Sequence, residues 1–149
     1  MSQVRRLPDV NALVPLLWPA HVHHAAVQAW FSSVRNAWAT CPLTQLGCLR
    51  VLATPAVSRG TLTLAGAYAS LTEILADPGH AFWPDNLPVS DLRFAGTVPF
   101  LQGPAQITDR YLLALAAAHG GVLATFDRSI AAGLPANSPL RDHVEIIPT

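Results

Sequence analysis

The sequence contains no lysine, and its nine arginines are balanced by nine aspartates and glutamates. The formal net charge is therefore zero, so any binding of nucleic acid depends on a local group of arginines. Charged residues make up only 12% of the 149 residues, whereas 51% are hydrophobic. A chain of this length and composition is expected to bury a core and to form a single domain over residues 1–149.

The sequence also lacks the usual marks of membrane and exported proteins. It has no uninterrupted apolar run of about 18 residues, and its first residues do not follow the basic, apolar and small-residue order of a signal peptide. We therefore expect a soluble, cytoplasmic protein with no membrane partner. The two cysteines, Cys41 and Cys48, are too few for a disulfide framework or a zinc knuckle, which favours buried free thiols.

Predicted strands and helices alternate along the whole chain. Short apolar runs predict strands at 4–8, 38–41, 81–83, 122–124 and 144–147. Apolar repeats and start signals predict helices from 11, from about 21 to 34, from 42 to the residues before Pro55, at 64–75 and from 109, with a short helix near 90–92. This alternation favours an α/β domain in which helices cover both faces of a parallel sheet.

The stretch from Gln106 to Arg128 contains most of one helix and strand unit. Thr108 is a suitable N-cap, so we expect a helix to begin at Asp109 and to stop at Gly120. The apolar run 122–124 then predicts a buried strand that carries Asp127 just beyond its carboxyl end. Active sites of open parallel sheets lie at this edge.

Three aspartates are expected to meet at that edge: Asp9, Asp109 and Asp127 each follow a predicted strand or open a helix. Clustered carboxylates either raise one another's pKa or bind a hard cation, and Mg²⁺ suits an all-oxygen set that leaves room for water. Each aspartate also has a purely structural interpretation, as a helix-start charge, a turn residue or an N-cap. Their shared placement favours the site.

Four segments in this order, LPDVNALV, CPLTQLGCLRVL, ITDRYLLALAAAHGG and LATFDRSI, are together informative. The chain resembles the PIN-domain ribonucleases, and specifically the VapC toxins of bacterial toxin–antitoxin pairs. This resemblance implies a three-layer α/β/α sandwich around a parallel sheet and an endoribonuclease that depends on Mg²⁺ or Mn²⁺. It also implies products with 5′-phosphate and 3′-hydroxyl ends, a VapB-type antitoxin partner and a homodimer.

The resemblance assigns the metal site to Asp9, Asp109 and Asp127. Gln45 stands where the family usually has glutamate, which removes one negative charge from the expected site. Metal affinity should therefore fall, or the site should hold one ion instead of two, although an amide oxygen can still bind a cation or orient a water.

Other polar residues near these motifs have two interpretations each. Asn11, Thr44 and Thr125 are candidates for hydrogen-bonding the site carboxylates, but short polar side chains at helix starts are as often plain caps. Arg110 and Arg128 each follow a site aspartate directly, so both are predicted to hold RNA phosphates at the mouth. The alternative for the arginines is that they are solvated or paired with neighbours.

His21, His23 and His24 form a cluster that suggests zinc, but no partner stands at ligand spacing, so a surface helix start is favoured. Two other functions stay open for the chain. One is a PIN fold that no longer cleaves RNA and only binds RNA or protein, which Gln45 motivates. The other is a phosphotransferase or receiver-like domain, against which the absence of lysine counts.

Overall fold

A computed structural model describes residues 3–149, and their five strands form one parallel sheet. The strands are β1 (Arg6–Pro8), β2 (Trp38–Thr40), β3 (His80–Phe82), β4 (Val122–Thr125) and β5 (Val144–Ile146), arranged in the order β3-β2-β1-β4-β5. Every neighbouring pair is parallel, with Arg6 opposite both Trp38 and Val122. All five strands were predicted from the sequence, with ends that differ by one or two residues.

Seven α-helices connect or flank the strands within the described residues. They are α1 (Val10–Leu17), α2 (His24–Val34), α3 (Pro42–Ala53), α4 (Pro55–Ser58), α5 (Leu64–Leu75), α6 (Leu92–Ala95) and α7 (Ile107–Ala118). Short 3₁₀ turns lie at Val98–Phe100, Pro104–Gln106 and Pro139–His143. None of the helices in this part of the chain combines the length and apolar character that crossing a membrane requires.

Successive side chains of a strand point to opposite faces of the sheet, which creates two cores. Trp38 and Ala124 pack on one face with α1, α2, α3 and α5. Ala39 and Leu123 pack on the other face with α7 and α6. The structure therefore confirms the three-layer α/β/α architecture.

The last helix before β4 differs from the prediction at its start. Helix α7 begins at Ile107 and its N-cap is Gln106, so the prediction of Thr108 as cap and Asp109 as first residue was wrong. The 3₁₀ turn Pro104–Gln106 leads directly into the helix, which lets it begin earlier. Asp109 still lies in the first turn, and Gly120 follows the helix with a φ of 69°, as the predicted stop requires.

The second helix also starts later than expected, at His24 instead of about His21. The backbone N–H of His23 donates to Nδ1 of His21, and His24 Nδ1 lies 2.8 Å from the carbonyl oxygen of Pro15. These local contacts hold the cluster in a turn ahead of the helix.

Candidate active site

The carboxyl ends of the central strands bring the predicted site residues to one edge of the sheet. Asp9 follows β1 directly, and Asp127 lies two residues beyond the end of β4. Helix α7 precedes β4 and must run antiparallel to it, so its first turn, with Asp109, lies at the same edge. The placement predicted for the three aspartates agrees with this topology.

Asp9 is held rigidly because its two carboxylate oxygens have different partners. Oδ1 accepts a hydrogen bond of 2.9 Å from the backbone N–H of Ala12, so Asp9 is the N-cap of α1. Oδ2 accepts a bond of 2.5 Å from the hydroxyl of Thr125. The side chain is 95% buried, since only 5% of Asp9 is exposed.

Thr125 connects two of the aspartates through one hydroxyl group. While its O–H donates to Asp9, its Oγ1 accepts a bond of 3.0 Å from the backbone N–H of Asp127. The Asp127 side chain is exposed, and its Oδ1 accepts bonds from the N–H and hydroxyl of Ser129, at 2.8 and 2.6 Å. Asp127 is therefore fixed by its turn but open to solvent.

Burial and mutual repulsion make this edge unfavourable for negative charge. Burial raises the pKa of Asp9 from 3.8 to about 6, against the lowering effect of its hydrogen bonds, and the charges of Asp109 and Asp127 raise it further. The pKa of half-buried Asp109 is also raised, first by burial and then by the charge of Asp127, while Arg110 opposes the shift. The three carboxylates thus share one electrostatic environment.

Gln45 lies in the first turn of α3, and a chain of hydrogen bonds orients its amide. Its Nε2 donates to Thr40 Oγ1 at 2.9 Å, and the same oxygen lies 2.7 Å from Nε2 of His80. Among residues 3–149, Oε1 of Gln45 has no hydrogen-bond partner. The roles of Thr40 and His80 were not predicted from the sequence, because neither residue lies in one of the four segments that carry the family resemblance.

The middle of α3 lies close to the start of α1. A Cβ on Gly47 would lie 2.6 Å from Cγ2 of Val10, the residue after Asp9, so only glycine permits this approach. The packing brings the helix that carries Gln45 against the helix that Asp9 caps.

Thr44 and Asn11 do not hydrogen-bond the carboxylates to which they were assigned. Thr44 is buried and exchanges hydrogen bonds with the backbone of Cys41, so it caps α3, as the alternative interpretation has it. Asn11 is exposed on α1 and makes no side-chain hydrogen bond to a described residue. Of these three candidates, the structure joins Thr125 alone to the aspartates.

The two arginines predicted at the mouth have different surroundings. Arg110 is fully buried and its Nη2 donates to the carbonyl oxygen of Ala132, so its prediction as a phosphate ligand was wrong. The error arose because the helix turns by about 100° per residue, which places Arg110 on the core side when Asp109 faces the edge. Arg128 is exposed and forms no ion pair with a described residue, so it stays available.

A cavity of about 470 Å³ adjoins Asp127 and was not expected from the sequence. Asn11, His21, His23, Phe126 and Asp127 line it together with four valines. The sequence signal for this cavity was Phe126, an aromatic residue placed between the motif residues Thr125 and Asp127.

The candidate metal ligands are the carboxylates of Asp9, Asp109 and Asp127 and the amide oxygen of Gln45. All of them are oxygen atoms, which suit a hard cation. Within residues 3–149, however, no three carboxylate, histidine or cysteine side chains converge closely enough to hold a metal ion alone. Mg²⁺ keeps several waters and often uses one or two protein carboxylates, so the residues fit a hydrated Mg²⁺ better than a closed cage.

Comparison with known proteins identifies close relatives of the chain. It is 43% identical over 126 residues to ribonuclease VapC39 of Mycobacterium tuberculosis, which covers 84% of this chain and 90% of the relative. Ribonuclease VapC38 of the same species is 41% identical over 125 residues, covering 83% and 86%. Ribonuclease VapC44, also from M. tuberculosis, is 38% identical over 129 residues, covering 86% and 89%.

No family model matches the chain. Identity at this level, over most of both proteins, nevertheless settles the family, and the parallel sheet between two helical layers agrees with it. The resemblance inferred from the four sequence segments is confirmed. The chain therefore belongs to the VapC family of PIN-domain proteins.

Proposed function

We propose that this protein is an endoribonuclease toxin that depends on Mg²⁺ or Mn²⁺ and hydrolyses phosphodiester bonds in RNA. The observation that carries the proposal is the edge where Asp9, Asp109 and Asp127 share one electrostatic environment. The names of the relatives, all ribonucleases, support the substrate class.

One or two of the carboxylates of Asp9, Asp109 and Asp127 would hold the divalent ion directly, and the others would contact it through its waters. The raised pKa values of Asp9 and Asp109 fit this role, because a cation offsets both the burial and the repulsion that oppose ionisation. When bound, a divalent ion supplies Lewis acidity, which makes water more acidic and offsets charge on the phosphate. The oxygen ligands select Mg²⁺ or Mn²⁺ over softer metals.

The residues of the chain position the reactants at this edge. Asp9 presents a carboxylate that cannot rotate, because both oxygens have a hydrogen-bond donor. Asp127 is exposed, and its Oδ2 accepts no hydrogen bond from a described residue, so it can accept a proton from, or orient, the attacking water. Thr125 keeps these two side chains in a fixed relation.

Gln45 contributes a neutral oxygen where the family usually has a carboxylate. Because Nε2 is engaged by Thr40, the amide offers Oε1 as its free group. An amide oxygen binds Mg²⁺ more weakly than a carboxylate, so we infer a site with lower metal affinity that keeps its geometry.

Arg128 is the candidate for holding an RNA phosphate, since it is exposed one residue after Asp127. A neutral protein needs such local charge, and a guanidinium binds phosphate through paired hydrogen bonds. The buried Arg110 has no part in this proposal.

The partner we infer is a VapB-type antitoxin that covers the acidic edge and places a basic side chain among the aspartates. A homodimer is inferred as well. Exposed apolar side chains of α3 and α5, such as Leu46 at 58% and Tyr68 at 59% exposure, offer surface for either contact. Action on cellular RNA in the cytoplasm follows from this assignment and stays a prediction.

The second candidate function is a PIN fold that binds RNA or protein without cleaving, which Gln45 motivates. The two functions are separated by incubating the purified protein with transfer RNA and total RNA, with Mg²⁺, with Mn²⁺ and with EDTA. The nuclease predicts discrete cuts with 5′-phosphate and 3′-hydroxyl ends that disappear in EDTA and in the Asp9→Asn variant. RNA binding without cleavage would favour the inactive module.

A further inference from the structure

We propose that the cavity between the α1–α2 turn and the residues after β4 binds one nucleobase of single-stranded RNA, beside the scissile phosphate. The inference rests on the proposed ribonuclease function and adds a recognition site to it. The cavity measures about 470 Å³, within the roughly 300–1,000 Å³ of small-ligand sites.

The location of the cavity ties it to the site. Asp127 and Phe126 both line it, and Phe126 follows in sequence directly after Thr125, whose hydroxyl holds Asp9. The cavity therefore lies within reach of a nucleotide next to a phosphate bound at the aspartates.

Aromatic rings form one wall of the cavity. The His23 ring stacks on Phe126 with centroids 4.9 Å apart and planes at 24°. His21 follows at 5.6 Å from His23, and Trp18, which lies outside the cavity lining, is 5.6 Å from His21. Flat rings beside an opening suit a planar base, because proteins recognise unpaired RNA bases largely through aromatic contacts.

Polar atoms on the same wall can read the edge of a base. His21 Nδ1 accepts the backbone N–H of His23, so the neutral ring carries its proton on Nε2 and donates there. The His23 ring and the Asn11 amide make no side-chain hydrogen bond to any described residue, which leaves donors and acceptors on both. Four valines complete the lining.

The lining favours a base over a phosphate. It contains no arginine, and its one formal charge is the carboxylate of Asp127, which repels phosphate. Burial, followed by the neighbouring His23 and His24, lowers the pKa of His21, so that ring is neutral at pH 7. A neutral, partly apolar base matches these walls, while the phosphates stay near the aspartates and Arg128.

The test is the binding of fluorescein-labelled RNA decamers to the full chain in EDTA, where no cleavage occurs. The probes are oligo(U), oligo(C), oligo(A) and a ribose-phosphate decamer without bases, all with the same number of phosphates. The variants are His23→Ala, which removes the ring, and His23→Phe, which restores a ring without nitrogen atoms. His119→Ala is the matched control, since His119 is an exposed histidine at the far end of α7.

We expect the wild type to bind at least one base-bearing decamer about tenfold more tightly than the abasic decamer. His23→Ala should lose most of this preference, His23→Phe should keep part of it, and His119→Ala should keep all of it. Equal affinity for abasic and base-bearing decamers, or a preference that survives His23→Ala, would overturn the base site and leave the cavity to a protein partner.

Cleavage measured separately with Mg²⁺ tests the ribonuclease function independently of the base site. Base-dependent binding through His23 without cleavage would refute the ribonuclease and retain the base site. Cleavage without base-dependent binding would retain the ribonuclease and refute the base site.

Discussion

The hydroxyl of Thr125 donates a 2.5 Å hydrogen bond to Oδ2 of Asp9 across 116 residues of sequence. It joins the end of β4 to the start of α1, and Oγ1 also accepts the N–H of Asp127. One small side chain thus fixes a buried and an exposed carboxylate relative to each other.

Replacing Thr125 by valine should cost about 1–3 kcal/mol of unfolding free energy, because the buried Asp9 oxygen loses its donor. RNA cleavage should also fall, since both carboxylates gain freedom. Urea unfolding and cleavage assays measure the two effects, with Thr125→Ser as the control that keeps the hydroxyl. A valine variant as stable and active as the serine variant would show that the bond does not position the site.

The ionisation of Asp9 should make the metal-free protein less stable as pH rises. Its pKa is about 6 in the folded protein against 3.8 for an unperturbed aspartate, so the folded state binds the proton more tightly. Stability from this group is complete below about pH 4 and is lost as pH rises through about 6, by roughly 3 kcal/mol in total. Urea unfolding in EDTA across this range measures the loss.

Asp9→Asn provides the reference for that experiment, because other groups also titrate. The difference between wild type and variant isolates Asp9, and it should shrink above pH 6 when Mg²⁺ is added, since the ion binds the ionised form. A difference that does not change between pH 4 and 7 would contradict the raised pKa.

The amide of Gln45 and the ring of His80 should be coupled through the single proton of Thr40. In the structure Gln45 Nε2 donates to Thr40, which leaves the Thr40 proton for Nε2 of His80. A glutamate at position 45 would accept that proton instead. Burial lowers the pKa of His80 in the wild-type protein. With glutamate at position 45, His80 would instead have to donate to Thr40 through a protonated Nε2.

We therefore expect Gln45→Glu to raise the pKa of His80 and to increase Mg²⁺ affinity about tenfold or more, from the added carboxylate. NMR titration of the imidazole and Mg²⁺ titration of cleavage measure these effects. Thr40→Val is the control that breaks the connection, and in that background Gln45→Glu should leave His80 nearly unchanged. If the pKa of His80 is the same with glutamine and with glutamate at position 45, the coupling is disproved.

Arg128 and Arg110 should behave oppositely in RNA binding although each follows a site aspartate. Arg128→Ala should weaken binding and reduce the slope of log K against log salt by about 0.7, the value for one lost contact with a single strand. Arg110→Met should leave that slope unchanged, because Arg110 is fully buried. Fluorescence anisotropy at several salt concentrations tests both, and a reduced slope for Arg110→Met would contradict the burial.

Local patterns were enough to predict the sheet and the edge at which Asp9, Asp109 and Asp127 lie. The alternation of strands and helices fixes that edge, and each aspartate stands beside an element end. The direction of Arg110 was mispredicted because adjacency in sequence does not tell which side of a helix faces the core. The turn Pro104–Gln106 likewise moved the start of α7 in a way that the N-cap preference of Thr108 did not indicate.

Contacts between distant residues could not be predicted from local patterns. The bond between Asp9 and Thr125 and the stacking of His23 on Phe126 each join segments more than 30 residues apart. The connection from Gln45 to His80 also spans more than 30 residues, although its first step, from Gln45 to Thr40, is short. They arise from the strand order and helix packing, which place these segments together only in the folded chain.

The most direct test of the central claim is RNA cleavage by the purified, antitoxin-free protein with Mg²⁺ and then with EDTA, beside Asp109→Asn. Asp142→Asn is the matched control, since Asp142 is exposed before β5, at the opposite edge of the sheet. We expect discrete cuts that require the metal, fall at least about 100-fold in Asp109→Asn and persist in Asp142→Asn. Cleavage that survives EDTA or the loss of Asp109, or no cleavage by folded protein that binds RNA, would contradict it.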